Sequence, residues 1–418
     1  MTLKIYKPVL FIAAMLILAK PGFAQDEPDT AGTNVYDSKA FNKSMKVKVK
    51  TKHLEMALDN LGDDLNASIN GMHLERLGSI ISSNVNNIVH SVTVSIGDND
   101  SDGEVMIIQS GSAEEKIKTY SKSYSVDAND RLEISNKYGR VNVNTWNKNE
   151  VKVDVQIKGD ASDNETAQKM IDAISISDNK SGDVVSFSTN FGNGSSSIWN
   201  NLFNNMNDHH KVEVNYTVYM PSTMSLSLSN KYGAVVLPSL SGKVSIDNSY
   251  GSLTAKALTN TSNEFNVRYY EVNIEELAGG SINLGYGSLK LGNVGRLEAN
   301  VSYAPIDIGK LTTSGSINAK YGGGIKINEI SKGLKSLDIN GKYSSVNIGL
   351  RGDESFDFDI TVRYGSFNYD DNRLKVTSKS PDDSKGFHPT KSYRGYMGNS
   401  NSNNKITINS TYQSVKIE

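Results

Sequence analysis

The sequence predicts an all-β protein whose second half is a parallel β-solenoid with coils of about eighteen residues. Three observations lead to this fold class. A tyrosine followed by a small residue recurs at a nearly constant interval, and apolar residues alternate with polar ones between these tyrosines. Glycine is abundant, with 35 residues in 418, whereas cysteine is absent. Because no disulfide can form, stability must come from hydrogen-bonded sheet and packed side chains.

The tyrosine repeat sets the length of one coil. Eight of the tyrosines from Tyr232 to Tyr364, one in each repeat, lie 18, 19, 17, 17, 18, 22 and 21 residues apart. One coil contains two short strands, which bury too little apolar surface to be stable alone, so coils must stack on one another. With one further copy at each end, the predicted corner tyrosines are Tyr138, Tyr232, Tyr250, Tyr269, Tyr286, Tyr303, Tyr321, Tyr343, Tyr364 and Tyr412.

The phase of the alternation predicts where each coil turns. Tyr286 continues the inward positions Ile282 and Leu284, and the next apolar residue, Leu289, comes three residues later rather than two. A slip of one residue indicates a corner, at which the following glycine is expected to supply the unusual backbone angles. The tyrosines should then form an aromatic ladder near one edge, turned towards the core. Packing is the favoured role of this ladder, and sugar binding is the alternative.

An antiparallel sandwich is the alternative fold, because hairpin strands also alternate between apolar and polar residues. Its turns should be short and should vary in residue type. Here one corner signature repeats in phase with the apolar pattern, which favours the solenoid.

Residues 1–24 have the pattern of a secretory signal peptide. Lys4 and Lys7 precede an apolar run over residues 9–19, and Gly22 and Ala24 precede a cleavage site. A membrane anchor needs about 20 apolar residues, and this run ends before that length. The sequence therefore predicts an exported protein of the periplasm, cell surface or extracellular space, with no transmembrane segment in the mature chain.

The remaining chain divides into two predicted parts. Residues 25–117 form a polar leader and an amphipathic helical segment, which is interpreted as a solenoid cap or a mobile segment, with a membrane-surface or partner helix as the alternative. Residues 118–418 form the solenoid domain, with an insertion at about residues 160–210 that contains a short helix and a strand. After a polar excursion, the last tyrosine copy is expected to close the C-terminal end against strand addition.

Several motifs resemble a known family. The corner sequence Asn-Lys-Tyr-Gly occurs at residues 136–139 and 230–233, and residues 211–221 read KVEVNYTVYMP. Together with residues 226–230, these motifs are similar to the bacterial putative-adhesin domain of unknown function. The resemblance covers roughly residues 118–418. It implies a single-stranded right-handed β-helix in exported proteins of Gram-negative bacteria, and it implies no catalytic or binding residues.

Metal and cofactor signals are sparse. Asp98, Asp100 and Asp102 resemble the opening of a calcium loop, but Gln109 stands where a bidentate carboxylate is needed, so an acidic hairpin tip is favoured. His209 and His210 are adjacent, but no further type of metal ligand beyond carboxylates lies close to them in sequence. No metal and no cofactor is therefore predicted.

Two further motifs suggest activities. Asp357 and Asp359 project from one face of a predicted strand about 7 Å apart, a spacing compatible with the acid/base pair of a carbohydrate-active β-helix enzyme. Acidic residues that flank an exposed strand are more often solvated, which favours a non-catalytic protein with no catalytic residues. Residues 351–353 spell Arg-Gly-Asp, a cell-adhesion tripeptide, in an ordinary coil turn.

The function predicted from these observations is an exported, non-catalytic, adhesin-like module for cell-envelope or surface interactions. The alternatives are a carbohydrate-active enzyme and an envelope-signalling partner protein. The charge balance, 44 basic against 46 acidic residues with a net charge of −2, gives no reason to expect nucleic acid. The partner is not identified by the sequence, with a glycan and an envelope protein as candidates.

Overall fold

The computed structural model describes residues 114–192, 210–382, 386–400 and 402–418. The predicted signal peptide, the polar leader and helical segment up to residue 113, the calcium candidates Asp98, Asp100 and Asp102, and His209 lie outside the described residues. The described residues form twenty strands and one helix, so the all-β prediction is confirmed.

The first half of these elements runs from residue 114 to residue 258. In chain order they are β1 (Glu114–Ser125), β2 (Arg131–Lys137), β3 (Val141–Thr145), β4 (Glu150–Ala161), α1 (Asn164–Asp172), β5 (Ile174–Ser181), β6 (Val184–Phe191), β7 (Lys211–Met220), β8 (Ser225–Leu237) and β9 (Val244–Leu258).

The second half runs to the last residues of the chain. Its strands are β10 (Asn263–Ser302), β11 (Ile306–Lys320), β12 (Ile325–Ile330), β13 (Ser336–Lys342), β14 (Val346–Ile348), β15 (Phe356–Arg363), β16 (Phe367–Tyr369), β17 (Leu374–Ser380), β18 (Thr390–Met397), β19 (Lys405–Thr411) and β20 (Val415–Ile417).

Parallel pairing with a constant offset organises the central strands. β8 pairs in parallel with β9, so that Leu228 lies opposite Ile246, and β9 pairs in parallel with β10, so that Ile246 lies opposite Phe265. These offsets of 18 and 19 residues equal the spacing of the corner tyrosines on the same strands. Each repeat of the sequence therefore lies directly on the preceding one, and we call each level of this stack a rung.

The core lies between the two strand segments of each rung. Buried and less buried residues alternate along the strands, as in β15, where Phe356, Phe358, Ile360 and Val362 are buried and the residues between them are not. The sequence-derived alternation is thus confirmed for this strand. Each such side chain stabilises the fold by about 1.5–3 kcal/mol when fully buried, which explains how thin rungs without disulfides hold together.

The backbone at the corners differs from the expectation. All ten corner tyrosines have a positive φ, between 52° and 65°. Of the six glycines that directly follow a corner tyrosine, only Gly287 has a positive φ. The prediction that glycine supplies the unusual backbone angles is therefore wrong, because the tyrosine itself adopts the left-handed conformation. That conformation costs a non-glycine residue roughly 1–2 kcal/mol.

The glycine is needed instead for close approach between rungs. A Cβ atom on Gly233 would lie 1.8 Å from the carbonyl oxygen of Gly139 in the neighbouring rung. The buried Asn230 amide donates a hydrogen bond of 3.0 Å to that same oxygen. In the Asn-Lys-Tyr-Gly motif, asparagine thus satisfies a carbonyl that the corner would leave unpaired, and glycine leaves room for it.

The N-terminal end of the stack is covered by the segment that includes the predicted insertion. β2 pairs with β6 on the side away from β8, and β3 pairs with β7. Antiparallel pairs then extend both sheets: β7 with β4, β4 with β1, and β6 with β5. The predicted helix and strand of the insertion are present as α1 and β6. The helix buries Ala167, Met170 and Ile171, and its N-cap Asp163 accepts a hydrogen bond from the backbone N–H of Thr166.

Side chains rather than backbone bonds join β1 to β5 across this cap. The hydroxyls of Tyr120 and Tyr124 donate to the two carboxylate oxygens of Asp178. Burial acts to raise the pKa of Asp178, but the two hydroxyl donors outweigh it and hold that pKa below its usual value. Burial and the bond to Asp178 raise the pKa of Tyr120, and the same bond together with burial raises the pKa of Tyr124 to about 12.

The order of rungs at the C-terminal end also differs from the expectation. β19 lies between β13 and β15, so that Ile408 has Ile339 on one side and Ile360 on the other. β20 lies in the same way between β14 and β16. The prediction that the last tyrosine copy closes the end is therefore wrong. The final fourteen residues are inserted between two earlier rungs. The end is covered instead by β18, which pairs antiparallel with β15, and by β17, which pairs antiparallel with β18.

The contact between corners predicts the effect of an alanine at Gly251. A Cβ atom there would lie 2.0 Å from the carbonyl oxygen of Gly233 and 2.9 Å from the ring of Tyr270. Gly251→Ala should lower the free energy of unfolding by about 2 kcal/mol or more, measured by urea unfolding. The control is Gly285→Ala, whose Cβ atom would come no closer than 3.8 Å to Arg268 and should have little effect. Equal stability of the two variants would contradict the close-approach explanation.

The cap predicts a loss of stability in alkali. A raised tyrosine pKa means that the folded state favours the neutral phenol, so the stabilising contribution is present below the usual pKa of about 10. It is lost as the pH rises towards about 12, the pKa of Tyr124 in the cap. Thermal unfolding followed between these pH values should show a smaller alkaline decrease for Tyr124→Phe than for the unaltered protein. The control is Tyr219→Phe, which removes a hydroxyl that does not bond Asp178 and should show the same alkaline decrease as the unaltered protein.

Candidate functional site

The most regular exposed feature is a continuous stack of the corner tyrosines. Nine successive ring pairs have centroid distances of 4.6–5.3 Å and interplanar angles of 3–13°. We call this stack the tyrosine row. Along the stack the rings are Tyr138, Tyr232, Tyr250, Tyr269, Tyr286, Tyr303, Tyr321, Tyr343, Tyr412 and Tyr364.

The rings lie on the outside of the protein. Each corner tyrosine is between 38% and 49% exposed, so the expectation that these side chains turn towards the core is wrong. The physical reason is the left-handed backbone at the tyrosine, which removes the side chain from the strict alternation of a strand. The core position at this corner of the Tyr269 rung is taken by the next residue, Tyr270, which is buried and accepts a hydrogen bond from the Asn248 amide.

Stacking determines which parts of the tyrosines are free to bind. A sugar ring packs on the face of an aromatic ring, but within the tyrosine row each face is covered by the next tyrosine. At one end, Phe191 packs edge-on against Tyr138 with a centroid distance of 5.6 Å, and at the other the Arg363 guanidinium lies 5.5 Å from the centroid of Tyr364. The row therefore presents ring edges and hydroxyl groups to a partner, not aromatic faces.

An asparagine row lies beside the tyrosine row, and each of its members comes three residues before a corner tyrosine in the sequence. Five of its six amides donate to the amide oxygen of the neighbouring rung, from the bond of Asn283 to Asn266 at 2.8 Å to the bond of Asn409 to Asn340 at 3.2 Å. Sequence analysis missed this row, although the constant offset from each tyrosine was available as a signal. Its members are Asn266, Asn283, Asn300, Asn318, Asn340 and Asn409.

Two charged rows flank the asparagines. Directly before the corner tyrosine, six of the ten rungs carry an exposed basic side chain, and no rung carries an acidic one; this basic row is Lys137, Lys231, Arg268, Lys320, Lys342 and Arg363. Five residues before the tyrosine, five rungs carry a carboxylate and the other five carry serine or threonine; the carboxylates are Glu133, Glu264, Glu298, Asp338 and Asp359. We call the surface that carries all four rows the outer face.

The outer face contains shallow hollows rather than an enclosed site. Two hollows of about 380 Å³ each follow the acidic row, and Glu264 lines both of them. A third, of about 610 Å³, lies at the first two tyrosines and is lined by Arg140, Glu213 and Asn215 among others. Such open surfaces suit an extended partner better than a small molecule, which is usually enclosed on most sides.

The predicted acid pair is not left free. The Asp359 carboxylate accepts a hydrogen bond of 2.9 Å from the Arg394 guanidinium, which belongs to β18. Asp357 and Asp359 share a strand with β18 on one side and β19 on the other. Engagement of one carboxylate in an ion pair supports a structural role for this residue.

The Arg-Gly-Asp triplet is held in the fold as well. Arg351 lies 2.7 Å from Glu329, which also binds Lys310, and the Glu354 carboxylate accepts bonds from the backbone N–H groups of Arg351 and Gly352. The bond from Lys310, with help from Arg351, keeps the pKa of Glu329 below its usual value. The triplet thus forms part of an ion-paired turn.

Among the described residues, no group of three or more histidine or acidic side chains is placed to hold a metal ion. His210 lies directly before β7, while its neighbour His209 falls outside the described residues. Within the described ranges, no helix has the length and apolar character needed to cross a membrane.

Comparisons with known proteins add little. No family model matches the chain, and no curated protein matches it, so the resemblance to the adhesin family stays a prediction. One similar solved structure is that of a "putative cell adhesion protein" from Clostridium sporogenes, with 11% sequence identity. The match covers 72% of this chain and 99% of the other, with a TM-score of 0.18. At that TM-score the likeness carries no argument about fold or function.

The stacking predicts a difference between an interior and a terminal tyrosine. Tyr286 stacks on two neighbours, at 4.9 Å and 4.6 Å, whereas Tyr364 stacks on Tyr412 alone, at 5.2 Å. Each stacked pair contributes about 0.5–1.5 kcal/mol, so Tyr286→Ala should destabilise the protein by about 1–3 kcal/mol and Tyr364→Ala by about half as much.

Both positions have the same left-handed backbone, so corner strain does not distinguish the two variants. The loss for Tyr364→Ala also includes its contact with the Arg363 guanidinium. Urea unfolding measures it directly. If Tyr286→Ala left the stability unchanged, the row would not contribute to packing, and binding would have to explain the exposed rings.

Proposed function

We propose that this protein is an exported, non-catalytic module for cell-envelope or surface interactions, built on a right-handed parallel β-helix. The observation that supports the proposal is the outer face, on which tyrosine, asparagine and charged side chains repeat in register from rung to rung. Such a surface repeats the same chemical groups at the strand spacing of about 4.8 Å.

A repeating surface fits a partner that is itself extended or repeating. When many weak contacts are made by one rigid face, the later ones form at a high effective concentration, and avidity exceeds the affinity of one contact. Rungs that are hydrogen-bonded to both neighbours keep the rows in fixed positions, so little conformational freedom is lost on binding. An adhesin-like or scaffolding role uses both properties.

The β-helix is supported by the parallel ladders and by offsets of one repeat between paired strands. The right-handed sense is the usual one for parallel strands joined by crossovers in one sheet. Export is supported by the charged, apolar and small-residue regions of residues 1–24.

Fractionation of the source bacterium, together with binding to its isolated envelopes, tests the proposal. We expect the protein outside the cytoplasm, and we expect the purified mature protein to bind envelopes saturably. The variant Asn300→Glu with Asn318→Glu breaks the asparagine row and should bind more weakly. The control, Asn273→Glu with Asn293→Glu, adds the same charge at exposed positions of the strand segments that follow the corners and should bind normally.

Both double variants must show the melting temperature of a folded protein for the comparison to count. A cytoplasmic location would contradict the proposal. So would envelope binding that the two double variants reduce to the same extent, since the outer face would then have no special part in it.

A further inference from the structure

We propose that the basic row binds a linear acidic polysaccharide, carboxylated or sulfated, that lies along the stack. This inference rests on the proposed function, because it names the class of ligand that the outer face takes. It is carried by the position of the basic row, by its lack of ion pairs and by the groups on either side of it.

The basic side chains are placed where they repel each other. Lys137 lies directly opposite Lys231 on paired strands, and Lys320 lies opposite Lys342. Adjacent strands are about 4.8 Å apart, and like charges directly opposite each other destabilise a sheet. Folding alone gives no reason for such an arrangement, and a local cost of this kind is expected at functional sites.

The protein does not neutralise this row with its own carboxylates. Among the described residues, none of the six basic side chains forms an ion pair, whereas other exposed lysines do, such as Lys243 with Glu264 and Lys310 with Glu329. The acidic row lies four residues away along the strand, beyond the asparagines. The basic row is therefore open to an external anion.

The length of the row indicates a polymer rather than a small anion. The basic positions extend from the first rung to the last of ten, which spans about 43 Å at the strand spacing. Only a long polyanion has enough negative groups over that distance to contact several of these basic side chains at the same time. Steering by such a row raises the rate of association at low salt.

The neighbouring rows supply what the hydroxyl groups of a sugar need. Tyrosine hydroxyls lie on one side of the basic row and asparagine amides on the other. Five of the six amides use one N–H to bond a neighbouring amide, and each of these has a second N–H to donate. The basic row thus has hydrogen-bonding groups on both sides, and these match a polymer that carries hydroxyl groups between its acidic groups.

The same geometry disfavours nucleic acid as the ligand. Proteins that bind single-stranded nucleic acid stack bases on open aromatic faces, and the faces in the tyrosine row are covered by one another. The acidic row would also lie near a second set of phosphates on any wide duplex. Nucleic acid is therefore kept as an outcome of the test.

Binding of the full-length mature protein to defined polymers tests the inference. The probes are polygalacturonate for carboxylate groups, heparin for sulfate groups and dextran as a neutral polymer, with double-stranded DNA as competitor. We expect saturable binding to one or both acidic polymers and none to dextran. Salt at about 0.5 M should weaken the binding, because it screens exposed charges.

Charge removal gives the matched comparison. Lys320→Gln with Lys342→Gln takes two adjacent charges from the row and should weaken polymer binding roughly tenfold, because charge-assisted hydrogen bonds are among the strongest a surface makes. Lys256→Gln with Lys332→Gln removes the same charge from exposed positions off the row and should change binding little. Binding to only one acidic polymer supports the inference and identifies its acidic group.

The inference is overturned if neither acidic polymer binds, if both double variants weaken binding equally, or if DNA competes at lower concentration than the acidic polymers. Failure here is distinguishable from failure of the proposed function. If polymers do not bind but envelopes still bind through the asparagine row, only the ligand class is wrong. If envelope binding is absent as well, the interaction module itself is wrong.

Discussion

The left-handed backbone at the ten corner tyrosines is the constraint on which the rest of this structure depends. It costs roughly 1–2 kcal/mol at each non-glycine residue, and it recurs at every rung. Stacking of each ring on its neighbours contributes about 0.5–1.5 kcal/mol per pair, which offsets a cost of the same order. A corner of this kind is therefore stable only within a stack, and this dependence couples the rungs to one another.

The same corner decides which groups reach the surface. Because the backbone is left-handed there, a residue that the alternation assigns to the core points outward. At the corners of Tyr269 and Tyr303 the following residues, Tyr270 and Ala304, are buried instead. In-register stacking then repeats every exposed position at the strand spacing, so single side chains become rows. The asparagine, tyrosine and charged rows are consequences of one backbone geometry, and together they make a surface suited to an extended partner.

A stack of parallel strands has two open ends, and open edges invite the addition of further strands. This chain covers its ends with parts that are distant in sequence from the rungs they cover. At the N-terminal end, β4 to β7 with α1 and β1 form the cap. Within it, hydrogen bonds from Tyr120 and Tyr124 of β1 to Asp178 of β5 join these two strands. At the other end, a hairpin of β17 and β18 pairs antiparallel with the last rung.

Local periodicity was enough to predict the strands, the parallel stacking of repeats and the position of each corner. The spacing from Tyr232 to Tyr250 equals the observed strand offset, because the repeat length and the stacking register are the same quantity. The helix of the insertion was likewise predicted from its own pattern. The asparagine row could have been predicted from its constant offset, but polar residues on a strand are usually interpreted as solvated.

The repeat is therefore encoded locally, since its length, its corners and its apolar positions all depend on neighbours along the chain. The outward orientation of the tyrosines is visible only in the folded protein, because one φ angle reverses a side chain without changing the apolar pattern. The insertion of residues 405–418 between earlier rungs is likewise seen only in the fold. Because the repeats share one corner signature, the signature does not say which repeat stacks on which. The stacking order depends on contacts between residues that are far apart in the sequence, and no local pattern encodes it.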